Sequence, residues 1–221
     1  LTPVPPTPTP TSDPRFGIVS YSGGSEVTEY FLNELGVTWY LDFTARLDDV
    51  PKGHHKLPYI PPSYNSEGWA VAESIWEFDD SKISSLGFSN REDLTELAQS
   101  NPGTYWYILG EPNRFPQLTP TKSASVFHYY LSTLKSADST ARIVGPSILN
   151  WEWTCLGCGG YQTGKGWLQA FINAYEELYD ENPPVDVWAI DIYPIDWFNT
   201  PNSALHAQIA IDQLTGMRGY L

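Results

Sequence analysis

The stretch YWYILGEPNR, Tyr105 to Arg114, decides how the rest of the chain is read. Its first five residues, Tyr105 to Leu109, are bulky and apolar without alternation, so they predict a short strand covered on both faces. The run stops at Gly110, Glu111, Pro112 and Asn113. A glycine lets the backbone turn sharply out of a sheet, and a proline fixes the exit direction and carries no N–H to satisfy. Between them Glu111 is pinned at the C-terminal end of the strand. Facing an apolar wall there, a carboxyl is held protonated more readily, as a general acid requires. The plainer reading is a surface glutamate in a turn.

Outward from this stretch the same pattern repeats. RFGIVSYSGG (15–24, ending in a Gly-rich loop), GVTWYLDF (36–43), HKLPYIPP (55–62), ARIVGPSI (141–148) and VDVWAIDIYP (185–194) read as further strands. Between them lie amphipathic stretches with helix signals. VTEYFLNELG places Tyr30, Phe31, Leu32 and Leu35 on one face before Gly36. SNREDLTELAQSNPG has a cap at Ser89 or Asn90 and acidic residues in its first turn. LTPTKSASVFHYYLSTLKSAD has Thr119 as cap, Pro120 at the first position and Val126, Phe127, Tyr130, Leu131 and Leu134 on its apolar face. TGKGWLQAFINAYEELYDENPP, closed by Asn and Pro, and NSALHAQIAIDQLTGMRGYL follow. Residues 64–88 fit an inserted loop with a short helix.

Strands apolar on both faces, alternating with helices, predict a parallel sheet wrapped by helices. A doubly wound open sheet and a (β/α)8 barrel both fit. No GxGxxG or GxxxxGK[ST] is present, which removes support for the nucleotide-binding versions. Polar and aromatic residues gather instead at the strand C-termini: Tyr21, Asp42, Tyr59, Glu111, Asn150 and Asp191. Barrel active sites are built at that end, so the expected class is α/β, a TIM (β/α)8 barrel with about six of its eight βα units in this chain. The expected division is a Pro/Thr-rich linker or stalk over residues 1–14 and a barrel catalytic domain over 15–221, incomplete at its C-terminus.

With 41% hydrophobic and 14% aromatic residues, the 221-residue chain can build a substantial core. A formal charge of −14 disfavours nucleic acid and anionic lipid as partners. No apolar run is long enough to span a membrane. LTPVPPTPTPTSDP adopts extended conformations and cannot pack, as in the stalk of a secreted or surface-tethered protein, or it marks where a longer chain was cut. The expected location is extracellular or at the cell surface, with further domains or surface attachment through the stalk. Cys155 and Cys158, in WTCLGCGG, read first as a local disulfide, with half a metal site, a redox pair and two free thiols as the alternatives. His54, His55, His128 and His206 form no HExxH or similar spacing, so no metal and no cofactor are expected. No GxSxG occurs.

YWYILGEPN resembles the fourth-strand motif of the large clan of retaining (β/α)8 glycoside hydrolases, clan A, in which the strand ends in Asn-Glu-Pro. VWAIDIYP is similar to the clan's sixth strand, and Tyr193 stands where a Tyr or His orients the second catalytic carboxylate. IVGPSI looks like the fifth strand. The resemblance implies a secreted hydrolase that cleaves O-glycosidic bonds of a poly- or oligosaccharide with retention. Glu111 would be the general acid/base, and the nucleophile a glutamate of strand seven, beyond Leu221. Gly110 departs from the clan's Asn, which bonds the sugar hydroxyl beside the reacting carbon. Asn113 is the nearest replacement; a shifted alignment or a weakened site would also account for it.

Retaining enzymes hold two carboxyls about 5–5.5 Å apart and inverting ones about 6.5–9.5 Å apart. Asp42, Glu152 and Asp191 sit at strand ends. Asp191 is the best internal partner for an inverting pair, though a hydrogen-bonded structural role fits it as well. Asp42 is either a subsite residue or the partner of Arg46. Trp151, Trp153 and Trp197 follow strands five and six, where sugar rings can stack on them, whereas Trp39, Trp106 and Trp188 read as core. The substrate-binding candidates are therefore Asn113, Tyr21, Asp42, Asn150, Trp151, Trp153, Asp191, Tyr193 and Trp197, with carbohydrate as the expected partner. Two rival readings remain: a non-catalytic carbohydrate-binding or structural protein on a degenerate glycosidase barrel, and a doubly wound protein without sugar chemistry.

Overall fold

The computed structural model describes residues 14–20, 29–48, 50–60, 91–116, 118–152, 161–193 and 207–221, together with the backbone of 64–65 and 68–69. Residues 1–13 of the expected stalk, Tyr21, the expected caps Ser89 and Asn90, Trp153, Cys155, Cys158 and Trp197 lie outside the described residues. The strands are β1 (Gly17–Val19), β2 (Trp39–Leu41), β3 (His55–Lys56), β4 (Tyr59–Ile60), β5 (Tyr64–Asn65), β6 (Gly68–Trp69), β7 (Tyr105–Ile108), β8 (Arg142–Leu149) and β9 (Val187–Asp191). The helices are α1 (Glu29–Leu35), α2 (Arg91–Ser100), α3 (Pro120–Ala137), α4 (Gly164–Tyr179) and α5 (Ala207–Tyr220).

The pairing runs β1-β2-β3 in one sheet and β4-β7-β8-β9 in another, all parallel. β3 and β4 are the two halves of one expected strand, HKLPYIPP. Pro58 has no N–H for a ladder, and the strand changes neighbours there. Before it, Leu57 N donates to the Tyr40 carbonyl; after it, Tyr107 N and Leu109 N donate to Pro58 and Ile60. One continuous succession of parallel strands results, in chain order, as in a barrel. β5 and β6 form an antiparallel hairpin within the expected insertion.

Alternation along the strands separates two cores. Trp106, Ile108 and Ile143 point outward into a large cluster with Leu94, Ala98, Phe127, Tyr130, Leu134, Trp167 and Phe171 from the helices. Leu41, Tyr107 and Val144, with Leu57, Tyr59 and Ala189, form a cluster made of strand and strand-flanking residues alone, which is the interior of the barrel. Between α3 and α4, Phe127 meets Phe171 edge-on at 5.7 Å, and Phe171 stacks on Trp167 at 5.5 Å.

The α3 reading holds in detail: Thr119 accepts from Lys122 N, Pro120 opens the helix, and all five expected apolar residues are buried. In α1 only Leu32 is buried. Tyr30, Phe31 and Leu35 are exposed, because this short helix docks through a small satellite core of Leu32, Val37 and Tyr40. Trp106 is fully buried, whereas Trp39 and Trp188 are half-buried. At the N-terminal end of the strands, Asp186 accepts from Arg142 at 2.9 Å, from Ile143 N at 2.8 Å and from Lys135 at 3.5 Å. That end is occupied by fold-holding contacts, and the opposite end carries the chemistry.

Candidate active site

At the C-terminal end of β7 the chain changes conformation twice. Leu109 and Glu111 both have positive φ, 59° and 50°. Between them Gly110 is fixed by space: a Cβ there would lie 2.9 Å from the Tyr59 hydroxyl and 3.3 Å from that of Tyr107. Glu111 N donates to the Ser147 carbonyl at 2.8 Å, which ties the turn to β8. Pro112 then opens a single 3-10 turn, Pro112–Arg114. The Glu111 carboxylate is thereby carried on a rigid backbone and keeps 17% of its side-chain surface exposed. Arg114 Nη1 lies 3.4 Å from one oxygen and the Tyr193 hydroxyl 3.5 Å from the other. Both contacts are long, so the carboxylate is attended but not locked.

Asp191, at the end of β9, is the second carboxyl of the site. Burial pushes it up to about 6, and the charge of Glu111 adds to the shift. The Tyr107 hydroxyl, donating at 3.3 Å, and nearby Ser147 pull the other way. Tyr59 and Tyr107 are themselves pushed up, chiefly by burial and then in part by the same negative charges. The Ser147 Oγ is buried beside these groups without a well-formed hydrogen bond among the described residues. Tyr193 is raised mainly by Glu111, so its phenol stays protonated and available as a donor. Its place is secured by Asn150, whose Oδ1 accepts from Tyr193 N at 2.9 Å.

The candidates read from the sequence divide into two groups. Glu111, Asp191 and Tyr193 converge at the mouth. Asn113 does not present its amide to a ligand: it is fully buried, and both ends clamp the backbone of Leu149, at 2.8 and 3.1 Å. It therefore does not replace the clan's Asn, and the place of that side chain is filled by Tyr59 and Tyr107. Asp42 pairs with Lys56 at 2.7 Å and not with Arg46, and it also accepts from Thr44 N and Oγ1. Trp151 is 1% exposed and its ring packs under α5 against Tyr220, while its backbone N–H donates to Gln213 Oε1, so it is core and no stacking platform. Asn150 is buried in a left-handed conformation and acts through Tyr193.

Tyr107 and Ser147 were not among the sequence candidates. Tyr107 was hidden in an apolar run, and the signal that finds it is strand alternation: it is two residues from Tyr105 and points inward where Trp106 points out. Among the described residues no group of three or more His, Cys, Asp or Glu is placed to hold a metal ion, and no helix is long and apolar enough to cross a membrane.

Parallel strands in barrel order, with carboxyls and aromatic hydroxyls collected at their C-terminal ends, define a glycoside hydrolase core of TIM-barrel type. The chain belongs to the glycosyl hydrolase catalytic core family, whose model matches residues 19–211. No curated protein matches it. Among solved structures it is similar to a GH128 subgroup III curdlan-specific exo-β-1,3-glucanase from Blastomyces gilchristii, in complex with glucose, at 13% identity and TM-score 0.42 over 70% of this chain and 52% of that one. It is also similar to a GH128 subgroup I endo-β-1,3-glucanase from Amycolatopsis mediterranei, in complex with laminaritriose, at 14% identity and TM-score 0.36 over 92% of this chain and 81% of that one. The chain thus spans about half the length of the first of these.

Proposed function

We propose that the protein is a secreted glycoside hydrolase that cleaves O-glycosidic bonds in a poly- or oligosaccharide with retention, and that Glu111 is its general acid/base. The observation that carries the reading is the presentation of Glu111. The turn that ends β7 is fixed by Gly110, Ser147 and Pro112, and it leaves one carboxyl partly exposed between a phenol and a guanidinium. Such a group can give a proton to the departing glycosidic oxygen and then take one from the water that attacks the glycosyl-enzyme.

Asp191 does not supply the nucleophile in this reading. Burial favours its protonated form, and its free lone pairs are shared with Tyr107. The nucleophile is assigned to a strand-seven carboxylate, as in the clan whose fourth-strand motif the sequence resembles. Carbohydrate is the partner, and the stalk is the route to further domains or surface attachment, in an extracellular setting.

The test is turnover of a panel of β-1,3-glucan, β-1,4-glucan, mannan and xylan oligosaccharides. Glu111→Gln is expected to lower kcat at least about a thousand-fold on the cleaved sugar while binding is kept. Activity within a few-fold of wild type in that variant would remove Glu111 from the mechanism. Binding by the wild-type protein without any turnover would support the rival reading of a carbohydrate-binding barrel.

A further inference from the structure

At the end of β2, Phe43 sits in the left-handed region, φ 59°, which an aromatic residue rarely adopts. The residue is 37% exposed, although its neighbours Asp42 and Thr44 are buried. A strained backbone of this kind persists only when its surroundings over-determine it. Here they do. Asp42 and Thr44, on either side of Phe43, are both buried, and Asp42 Oδ1 accepts from Thr44 N and Thr44 Oγ1 at 3.0 Å each. Lys56 closes the loop from the neighbouring strand, at 2.7 Å from Asp42 and 2.6 Å from Thr44 Oγ1. Desolvation lowers Lys56, and the bond to Asp42 opposes that fall. A buried ion pair is an expensive fastening where an apolar contact would serve. It holds a turn whose outward product is one phenyl ring.

That ring is not isolated. Phe43 packs edge-on against Tyr59 at 5.5 Å, Tyr59 packs against Tyr107 at 5.2 Å, and Tyr107 bonds Asp191 at 3.3 Å. An aromatic row therefore runs along the strand ends from Phe43 to the carboxyls. Pyranose rings present flat C–H faces at regular intervals along a chain, and aromatic surfaces at a cleft wall take them up.

We infer that Phe43 is a stacking platform for a pyranose ring some distance along the chain from the bond that is cleaved, and that Asp42, Thr44 and Lys56 are the positioning residues that display it. The inference rests on the glycoside hydrolase reading given above. It assigns Asp42 an indirect part in sugar binding, through the backbone of Phe43 and not through contact.

The experiment compares laminari-, cello-, manno- and xylo-oligosaccharides, from disaccharide to hexasaccharide, on the full-length protein. In Phe43→Ala the KM of the longer members of the cleaved series is expected to rise about ten-fold, with kcat within two-fold and the disaccharide unaffected. Phe43→Trp is expected to keep wild-type KM. An unchanged KM at every length in Phe43→Ala overturns the inference, as does an equal loss on short and long substrates. Thermal unfolding of both variants identifies a variant that is misfolded, and Phe43→Trp then decides the matter, since a shorter-chain preference in a folded Phe43→Trp also overturns it. If Phe43→Ala behaves like wild type while Glu111→Gln is inactive, the platform fails and the hydrolase reading stands. If the wild-type protein neither binds nor cleaves any series, both fall.

Discussion

Gly110 shows how a single residue can be dictated from across the site. The clan's Asn at this place would have to enter space occupied by the hydroxyls of Tyr59 and Tyr107. Gly110→Ala is expected to cost about 1–3 kcal/mol, measured by chemical denaturation, because the crowding atoms belong to buried rings. Adding Tyr59→Phe, which removes the nearest atom, is expected to recover part of that loss. Asp191 supports a prediction about pH. Its proton is held more tightly in the folded protein than in the unfolded chain, so the stability it contributes is complete below the ordinary carboxylate range and is lost as pH rises through about 6. Asp191→Asn is therefore expected to be more stable than wild type by roughly 1–3 kcal/mol at pH 7 to 8, with the difference shrinking toward pH 4. A constant difference across that range would mean that Asp191 does not titrate as its surroundings dictate.

At the scale of elements, what the sequence made legible was local. Thr119 and Pro120 announced the start of α3, and its apolar face was read correctly, because caps and helical spacing act within a few residues. The turn that carries Glu111 was legible for the same reason: Gly, Glu and Pro are consecutive. The contacts that reassigned other candidates join distant parts of the chain. Asn113 finds Leu149, 36 positions away, and Trp151 finds Gln213, 62 positions away. Asp42 had Arg46 within local reach, yet the register that sets Tyr40 opposite Lys56 brought a lysine from the next strand. Strand register is a tertiary property that periodicity alone does not give. Asn113→Ala is expected to destabilise by about 2–4 kcal/mol, since it strands two backbone groups of Leu149 in the interior. Phe127→Ala, at the α3–α4 contact, is expected to cost about 3–5 kcal/mol, and the same denaturation series reads both.

Over the whole molecule, barrel-type order was legible because the strands are apolar almost throughout and helical stretches alternate with most of them. The third strand was read as one piece, and its split at Pro58 into two sheets depends on which neighbour each half meets. Packing is uneven. β7, β8, α3 and α4 share one large buried cluster, while β1 and α1 rest on Leu32, Val37 and Tyr40. Amide exchange is accordingly expected to be slowest in β7 and β8 and faster in α1. Equal protection in the two regions would show that the small satellite core is held by more than its own side chains.

The central claim is the role of Glu111, and chemical rescue tests it most directly. With Glu111→Ala and an aryl glycoside of the cleaved sugar, whose leaving group needs no proton, the first step still runs and the second lacks its base. Added azide needs no base, so turnover should recover and the product should be the glycosyl azide with the configuration of the substrate. An azide of inverted configuration would make Glu111 the nucleophile instead, and wild-type turnover without azide would contradict the account.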